Sequence, residues 1–275
     1  MAAAVAVPSS ILPSVRFRRR ILLLAASLAA LGAGLLYLKI DPVAIFRDFH
    51  YVVGLLDEMF PPNLRLLWVK KGLWLSVLQT VAMAFLGTLV GASIAIVLAF
   101  LASVNTAPSR PVRLIVRTLL ATERCTPNIV VLLVLLVAVG IGPFAAMISL
   151  CIGSVGMFGK LFADAIEQVD PLPGEAIAAA GAAPLQVIRY AILPQIAPSI
   201  VANVFYAFDV NLRLAVTLGV FGGGGLGFEL HVARSVLRYK DMFACLILVM
   251  ILINVMERIA DFFRRRLFLR EVELR

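Results

Sequence analysis

The chain has 275 residues, 62% hydrophobic and 15% charged, with a mean hydropathy of +1.01. Soluble domains run at roughly 45 to 50% and 25%, so a water-soluble globule is excluded and several membrane spans of about 20 residues each are required. The 25 Lys and Arg against 16 Asp and Glu, a net +9, fit the basic loops that membrane proteins keep on their cytoplasmic side, and no basic face interleaved with aromatics points to nucleic acid.

Residues 1–20 form an Ala, Ser and Pro segment ending in Arg16, Phe17, Arg18, Arg19 and Arg20, followed by an uncharged run, 21–38. That run exceeds the 7 to 15 residues usual for the apolar part of a signal peptide, so it reads as a retained first transmembrane helix preceded by a cytoplasmic basic tail. Residues 39–71 mix both signs and carry Pro42, Pro61 and Pro62, as suits an external (periplasmic) loop. A second span is expected near 72–103, and Arg110, Arg113 and Arg117 then bring the chain back to the cytoplasm. The uncharged run 125–159 is too long for one span and is interrupted by Gly140-Ile141-Gly142-Pro143, which predicts helices over 113–139 and 143–166. A polar stretch, 160–198, belongs in the cytoplasm. Apolar segments at 195–220 and 241–259 follow, and a basic tail, 264–275, ends the chain. The expectation is an all-α polytopic membrane protein with about six spans and both termini cytoplasmic.

Three cysteines without C-x-x-C spacing and two histidines 181 residues apart, His50 and His231, offer no pattern for a metal, a cofactor or a histidine triad. Polar chemistry within the apolar segments falls in two places. Asp209 and Arg213 are four residues apart on one helix face, with Asn211 between them and a glycine run, Gly222 to Gly225 with Gly227, just after. A charge at membrane depth is costly and normally faces protein or a water-filled path, and consecutive glycines do not propagate a helix. The group reads either as a structural ion pair beside protein-covered backbone or as the lining of a pathway for a polar, anionic solute, with Asp209, Asn211, Arg213, Gly223 and Gly224 as its candidates. Arg124 and Asn128, on either side of Pro127, are a second cluster: a helix start at the interface, or two groups on one helix face lining the same path. No Walker-type G-K-[ST] loop is present, so ATP hydrolysis would need another subunit.

The polar stretch carries Glu175-Ala176-Ile177, then Gly181, then Leu193-Pro194, with Pro171, Pro173 and Pro184 as breakers. By composition this is a short alanine-rich helix with an acidic residue in its first turn, a glycine bend and a second short helix. Its spacing resembles the signature loop of permease subunits of bacterial ABC importers, with Glu175, Ala176, Gly181, Leu193 and Pro194 at matching offsets and Ile177 and Ala191 as departures. The resemblance extends over roughly 70–265 and narrows to phosphonate importer permeases: Val137 to Phe144, Asn211-Leu212-Arg213 and the glycine run look like that branch, while Asn128 stands where it commonly has an acidic residue.

The resemblance implies a type I importer permease fold: a core, 72–263, of five transmembrane helices with cytoplasmic coupling helices at 167–194. It implies a non-enzymatic transport subunit of the bacterial inner membrane, working as a homodimer with two ATP-binding subunits and a periplasmic solute-binding protein. The implied solute is a phosphonate or a related reduced-phosphorus anion, with phosphite or hypophosphite as the alternative and an amino acid further away.

Overall fold

The computed structural model describes residues 15–39 and 47–272. Of the segments named above, residues 1–14 of the N-terminal tail, 40–46 of the expected external loop and 273–275 of the basic tail lie outside the described residues.

The chain divides between Asp57 and Glu58 into two units. The first contains α1, Val15–Tyr37, and most of α2, Phe49–Met59. Along α1 the side chains of Leu22, Leu23, Leu24, Leu28 and Leu31 are all exposed. A helix apolar on every side has no stable place in water, whereas lipid is the solvent such a surface requires.

The second unit follows a short turn of helix, α3 (Leu66–Val69), with the long helix α4, Lys71–Ala102. Next come α5 (Arg110–Arg124), α6 (Asn128–Val139) and α7 (Pro143–Glu167), then α8 (Pro171–Ala179), α9 (Pro184–Val187) and a π-helical turn, Ile188–Ile192. Helix α10, Leu193–Leu218, leads through a second π-helical turn, Gly219–Gly223, into α11 (Gly225–Ser235) and the last helix, α12 (Tyr239–Val272). Among the described residues there is no strand. Five helices are long and apolar enough to cross a bilayer, and the bent pair α5 and α6 makes up to six.

Helices α4 and α7 pack along most of their length because small residues let their backbones approach. Gly87 leaves no room for a methyl group against Leu150, where a Cβ would lie 2.8 Å from the Leu150 Cβ, and Gly91 sits in the same way against Ser154. Ala84, Ala95, Ala99 and Ala102 continue the buried stripe of α4. Small residues repeated every three or four positions are how helices associate where lipid removes most of the hydrophobic drive. Around this pair the buried side chains form three clusters. One, at the Glu167 end of α7, contains Phe158, Phe162, Ile166, Ile192 and Ile196; a central one contains Met83, Leu132, Leu150, Leu212 and Leu218; a third, where α12 joins, contains Leu73, Leu226, Leu248 and Leu252.

Three expectations are corrected. The single helix expected over 113–139 is two helices bent by 90°. Pro127 lacks an N–H and its ring disfavours the helical region for Thr126, so α5 closes with Cys125 N donating to Thr122 O and Thr126 N to Glu123 O before α6 starts afresh at Asn128. An eleven-residue helix, α11, begins inside the glycine run at Gly225, where consecutive glycines were expected to keep the backbone broken. The last helix, Tyr239–Val272, continues well beyond 259, because Arg258, Asp261 and Arg264 stand at exposed or half-buried positions and do not interrupt helical hydrogen bonding.

Candidate functional site

The segment between α7 and α10 folds into a compact knob. Asp170 caps α8, its carboxylate accepting from Leu172 N at 3.0 Å, and Pro171 occupies the first turn, where no N–H is needed. Starting at Pro171 moves Glu175 out of the first turn, where it had been expected, into the second. The far end of α8 closes with a Schellman motif: Gly181 N donates to Ala178 O at 2.9 Å and Ala182 N to Ile177 O at 3.4 Å. Gly181 has φ +87°, a conformation that costs other residues energy. The chain then turns into α9, where Ala183 N donates to Gln186 Oε1 at 2.7 Å.

Gln195, on the first turn of α10, holds the knob from below. Its Oε1 accepts from Asp170 N at 3.0 Å while its Nε2 donates to Ala191 O, also at 3.0 Å, and to Asp170 O at 3.3 Å. Ala191 and Ile192 are buried, and Ile192 belongs to the core cluster at the Glu167 end of α7. The knob is therefore tied to α10 by side-chain hydrogen bonds and by packing. Its outer surface is uncovered: Leu172, Leu185 and Tyr190 are 67%, 78% and 62% exposed, and Glu175 and Ala176 lie open beside them. Leu193 and Pro194 form the first turn of α10 and are exposed at its edge.

The polar residues at membrane depth separate into distinct places. Asp209 and Arg213 form an ion pair across one turn of α10, 3.0 Å from Oδ2 to the guanidinium, and Glu257 of α12 lies 3.6 Å from the same guanidinium. Asp209 Oδ1 is enclosed and has no hydrogen bond. Asn211 points the other way, since two residues of helix turn a side chain by about 200°. It is buried and donates from Nδ2 to Thr88 Oγ1 at 2.8 Å and to Ser154 Oγ at 2.7 Å, tying α4, α7 and α10 together. Asn211 and Arg213, both candidates for the pathway lining, thus face different sides of α10. Asn211→Ala removes both donors from a buried site and is expected to cost roughly 1–3 kcal/mol, read as a lower midpoint of thermal unfolding in detergent.

Gly223 and Gly224 are packed closely against protein. A Cβ on Gly223 would lie 2.8 Å from the Ala146 Cβ, and one on Gly224 would lie 2.8 Å from Pro143 Cγ. The N–H of Leu226, just after the run, donates to Thr80 Oγ1 at 2.9 Å.

Arg124 and Asn128 end and begin different helices, so they do not share one helix face as expected. What joins them is a track on α7 that was not anticipated. Gly153, Gly156 and Gly159 receive Asn128, Glu123 and Leu120 in turn, each seated where a Cβ would collide with it. Ser149 Oγ, one turn further along, donates to Asn128 O at 2.7 Å. The three-residue spacing of these glycines was readable, but Glu123 had no visible role because its neighbour is 33 positions away. At the other end of the bundle, Lys70 pairs with Glu229 at 2.5 Å, linking the start of α4 to α11.

Comparison with known proteins adds the following. Residues 87–269 match the family described as the binding-protein-dependent transport system inner membrane component. Over 235 residues the chain is 34% identical to the phosphate-import permease protein PhnE of Mycolicibacterium smegmatis, covering 86% of this chain but 44% of that protein. It is 32% identical to the phosphite transport system permease protein PtxC of Stutzerimonas stutzeri, covering 82% of this chain and 81% of the relative. Among solved structures, the fold is similar to that of an inward-facing MetNI methionine ABC transporter, with a TM-score of 0.62 at 22% identity over 74% of this chain and 98% of that one. It is also similar to that of a bacterial ABC transporter involved in alginate import, with a TM-score of 0.63 at 18% identity over 90% and 96%.

Proposed function

The chain belongs to the binding-protein-dependent transport system inner membrane components, and from that membership we propose that it is the membrane-spanning permease of an ATP-driven importer for a phosphonate or a related reduced-phosphorus oxyanion. The observation that carries this reading is the knob at 170–192, rigidly joined to α10 and bearing uncovered Leu172, Leu185 and Tyr190. Apolar side chains at the polar end of a membrane protein call for a soluble partner. A separate ATP-binding subunit seated there transmits its closure through α10 to the polar groups at membrane depth. In this arrangement the permease works as a homodimer with two ATP-binding subunits and a periplasmic binding protein. The knob and both termini, 1–20 and 264–275, lie in the cytoplasm, and 39–71 lie outside.

The solute class is supported by the relatives named for phosphite and phosphate transport and by the chemistry of the pathway candidates. Arginine's planar fork suits phosphate-like oxygens. Arg213, held by the two carboxylates of Asp209 and Glu257, has its charge fully compensated. A passing oxyanion therefore meets a donor without being trapped by an uncompensated charge. Arg124 and Asn128 at the elbow between α5 and α6 are the second contact on the same path.

The test is ATP hydrolysis by the reconstituted complex, with binding protein loaded in turn with a phosphonate, phosphite and hypophosphite. Stimulation by one loaded form is the expected result and identifies the solute. A complex stimulated only by a loaded amino-acid-binding protein overturns the solute class while keeping the transporter. Failure to associate with any ATP-binding subunit overturns the transporter itself.

A further inference from the structure

Helix α7 is free of charge from Pro143 to Gly159, about 25 Å of helix at 1.5 Å per residue, which is close to the thickness of a bilayer's hydrocarbon core. Its first charges, Lys160 and Asp164, therefore stand where hydrocarbon gives way to lipid headgroups. At this level a cavity of about 230 Å³ opens between α5 and α7 beside the end of α4, lined by Ala102, Arg117, Arg124, Gly159, Lys160 and Asp164 among others. Three of its four charged walls are cations. Gly159 and Ala163 form part of its wall, with Leu120 seated against Gly159.

The cations are placed to act together. Arg117 is anchored, its Nε donating to Ala102 O at 2.8 Å and its guanidinium paired with Glu167, which leaves further N–H donors on a fixed plane. Lys160 and Asp164 make no hydrogen bond or salt bridge among the described residues, and Arg124 makes none either, although its charge interacts with that of Glu123. Glu123, next in sequence to Arg124, has its carboxylate over Gly156, where it interacts with the Arg124 charge without forming a salt bridge to it.

Helix α5 is built in three sectors. Val116 and Leu120 are buried toward α7; Leu114, Ile115 and Leu119 are exposed on the outer side; and Arg110, Arg113, Arg117 and Arg124 fall within about 60° of one another at 100° per residue. An apolar sector beside a basic one is the layout of a helix lying among headgroups.

We propose that the cavity between α5 and α7 is a binding site for a phosphate-class oxyanion bearing at least one O–H, held by Arg117, Arg124 and Lys160. The guanidinium forks and the ammonium take the charged oxygens, and Asp164 accepts from the hydroxyl, which an anion without one cannot offer. Hydrogen phosphate and the phosphoglycerol headgroup of phosphatidylglycerol share this chemistry. The site is separate from the polar groups of α10 and shares only Arg124 with the pathway proposed above, and its occupation does not depend on the transport reading.

The full chain in nanodiscs of phosphatidylcholine, titrated with radiolabelled inorganic phosphate, tests the free anion. Native mass spectrometry from mixed phosphatidylglycerol and phosphatidylcholine nanodiscs tests the lipid. One of the two is expected to bind, and Arg124→Gln with Lys160→Gln is expected to weaken it by on the order of tenfold or more, about 1.4 kcal/mol or more, because two of its three cations are removed. Lys160→Arg and the distant Arg234→Gln should retain binding, which separates loss of the site from loss of the fold. Phosphate binding lost in the double variant identifies the free anion as occupant, and phosphatidylglycerol retention lost in the variant identifies the lipid. Neither ligand held above the phosphatidylcholine background, equal binding by the double variant, or sulfate competing as well as phosphate overturns the proposal. No ATP or binding protein enters these measurements, so their failure leaves the transport function standing.

Discussion

Glu175→Arg is expected to leave the chain folded and to weaken its hold on the ATP-binding subunit by on the order of a hundredfold, a penalty typical of reversing a charge at a complementary interface. The expectation rests on Glu175 being exposed in the second turn of α8, with no hydrogen bond or ion pair among the described residues. A charge without an intramolecular partner contributes little to stability, so any large effect must come from a surface that the isolated chain leaves open. Copurification with the ATP-binding subunit, and ATP hydrolysis stimulated by loaded binding protein, should fall together while thermal stability of the chain in detergent stays constant. Gly181→Trp tests the same knob through its backbone. The Cβ position meets nothing within 4 Å, so the cost is the left-handed conformation, about 1–2 kcal/mol, together with a bulky ring on the docking surface. If both variants copurify and hydrolyse ATP like the unmodified chain, the knob is not the contact.

The largest effect on the fold itself is expected from Gly227→Ala. A methyl group at that position would run into Val216 O and approach Val220 N at 2.8 Å and the Gly219 Cα at 2.9 Å. Every one of these atoms is backbone, at the place where α10 unwinds into the π-helical turn and the chain returns as α11. A side chain could rotate out of the way, but two crossing backbones cannot separate without breaking the turn. The substitution should therefore cost more than about 4 kcal/mol, in the range of severe changes, and the variant should fail to accumulate as a monodisperse species in detergent. Gly72→Ala is the matched control. Its Cβ meets nothing within 4 Å, at the start of α4, and alanine is the better helix former by about 1 kcal/mol, so its stability should be unchanged or slightly raised.

These contrasts show which features could be read from the chain alone. Uncharged runs of span length determined the all-helical membrane class with several spans, because the bilayer sets element length and leaves backbone polar groups no partners outside the helix. Breakers at fixed offsets, Pro171, Gly181 and Pro184, marked the knob, since each acts through its own local φ and its own missing or free N–H. The pairing of Asp209 with Arg213 was legible for the same reason: a separation of four residues is a local property of a helix.

Only the tertiary structure decided the rest. It joined Asn211 to Thr88 and Ser154, brought Glu257 to Arg213, seated Glu123 on Gly156, and gathered Arg117, Arg124 and Lys160 around one cavity. Each of these depends on which face of one helix meets which face of another. That choice is made by close packing of small residues such as Gly87, Gly91 and Gly156 between segments tens of residues apart, and local pattern carries no record of it.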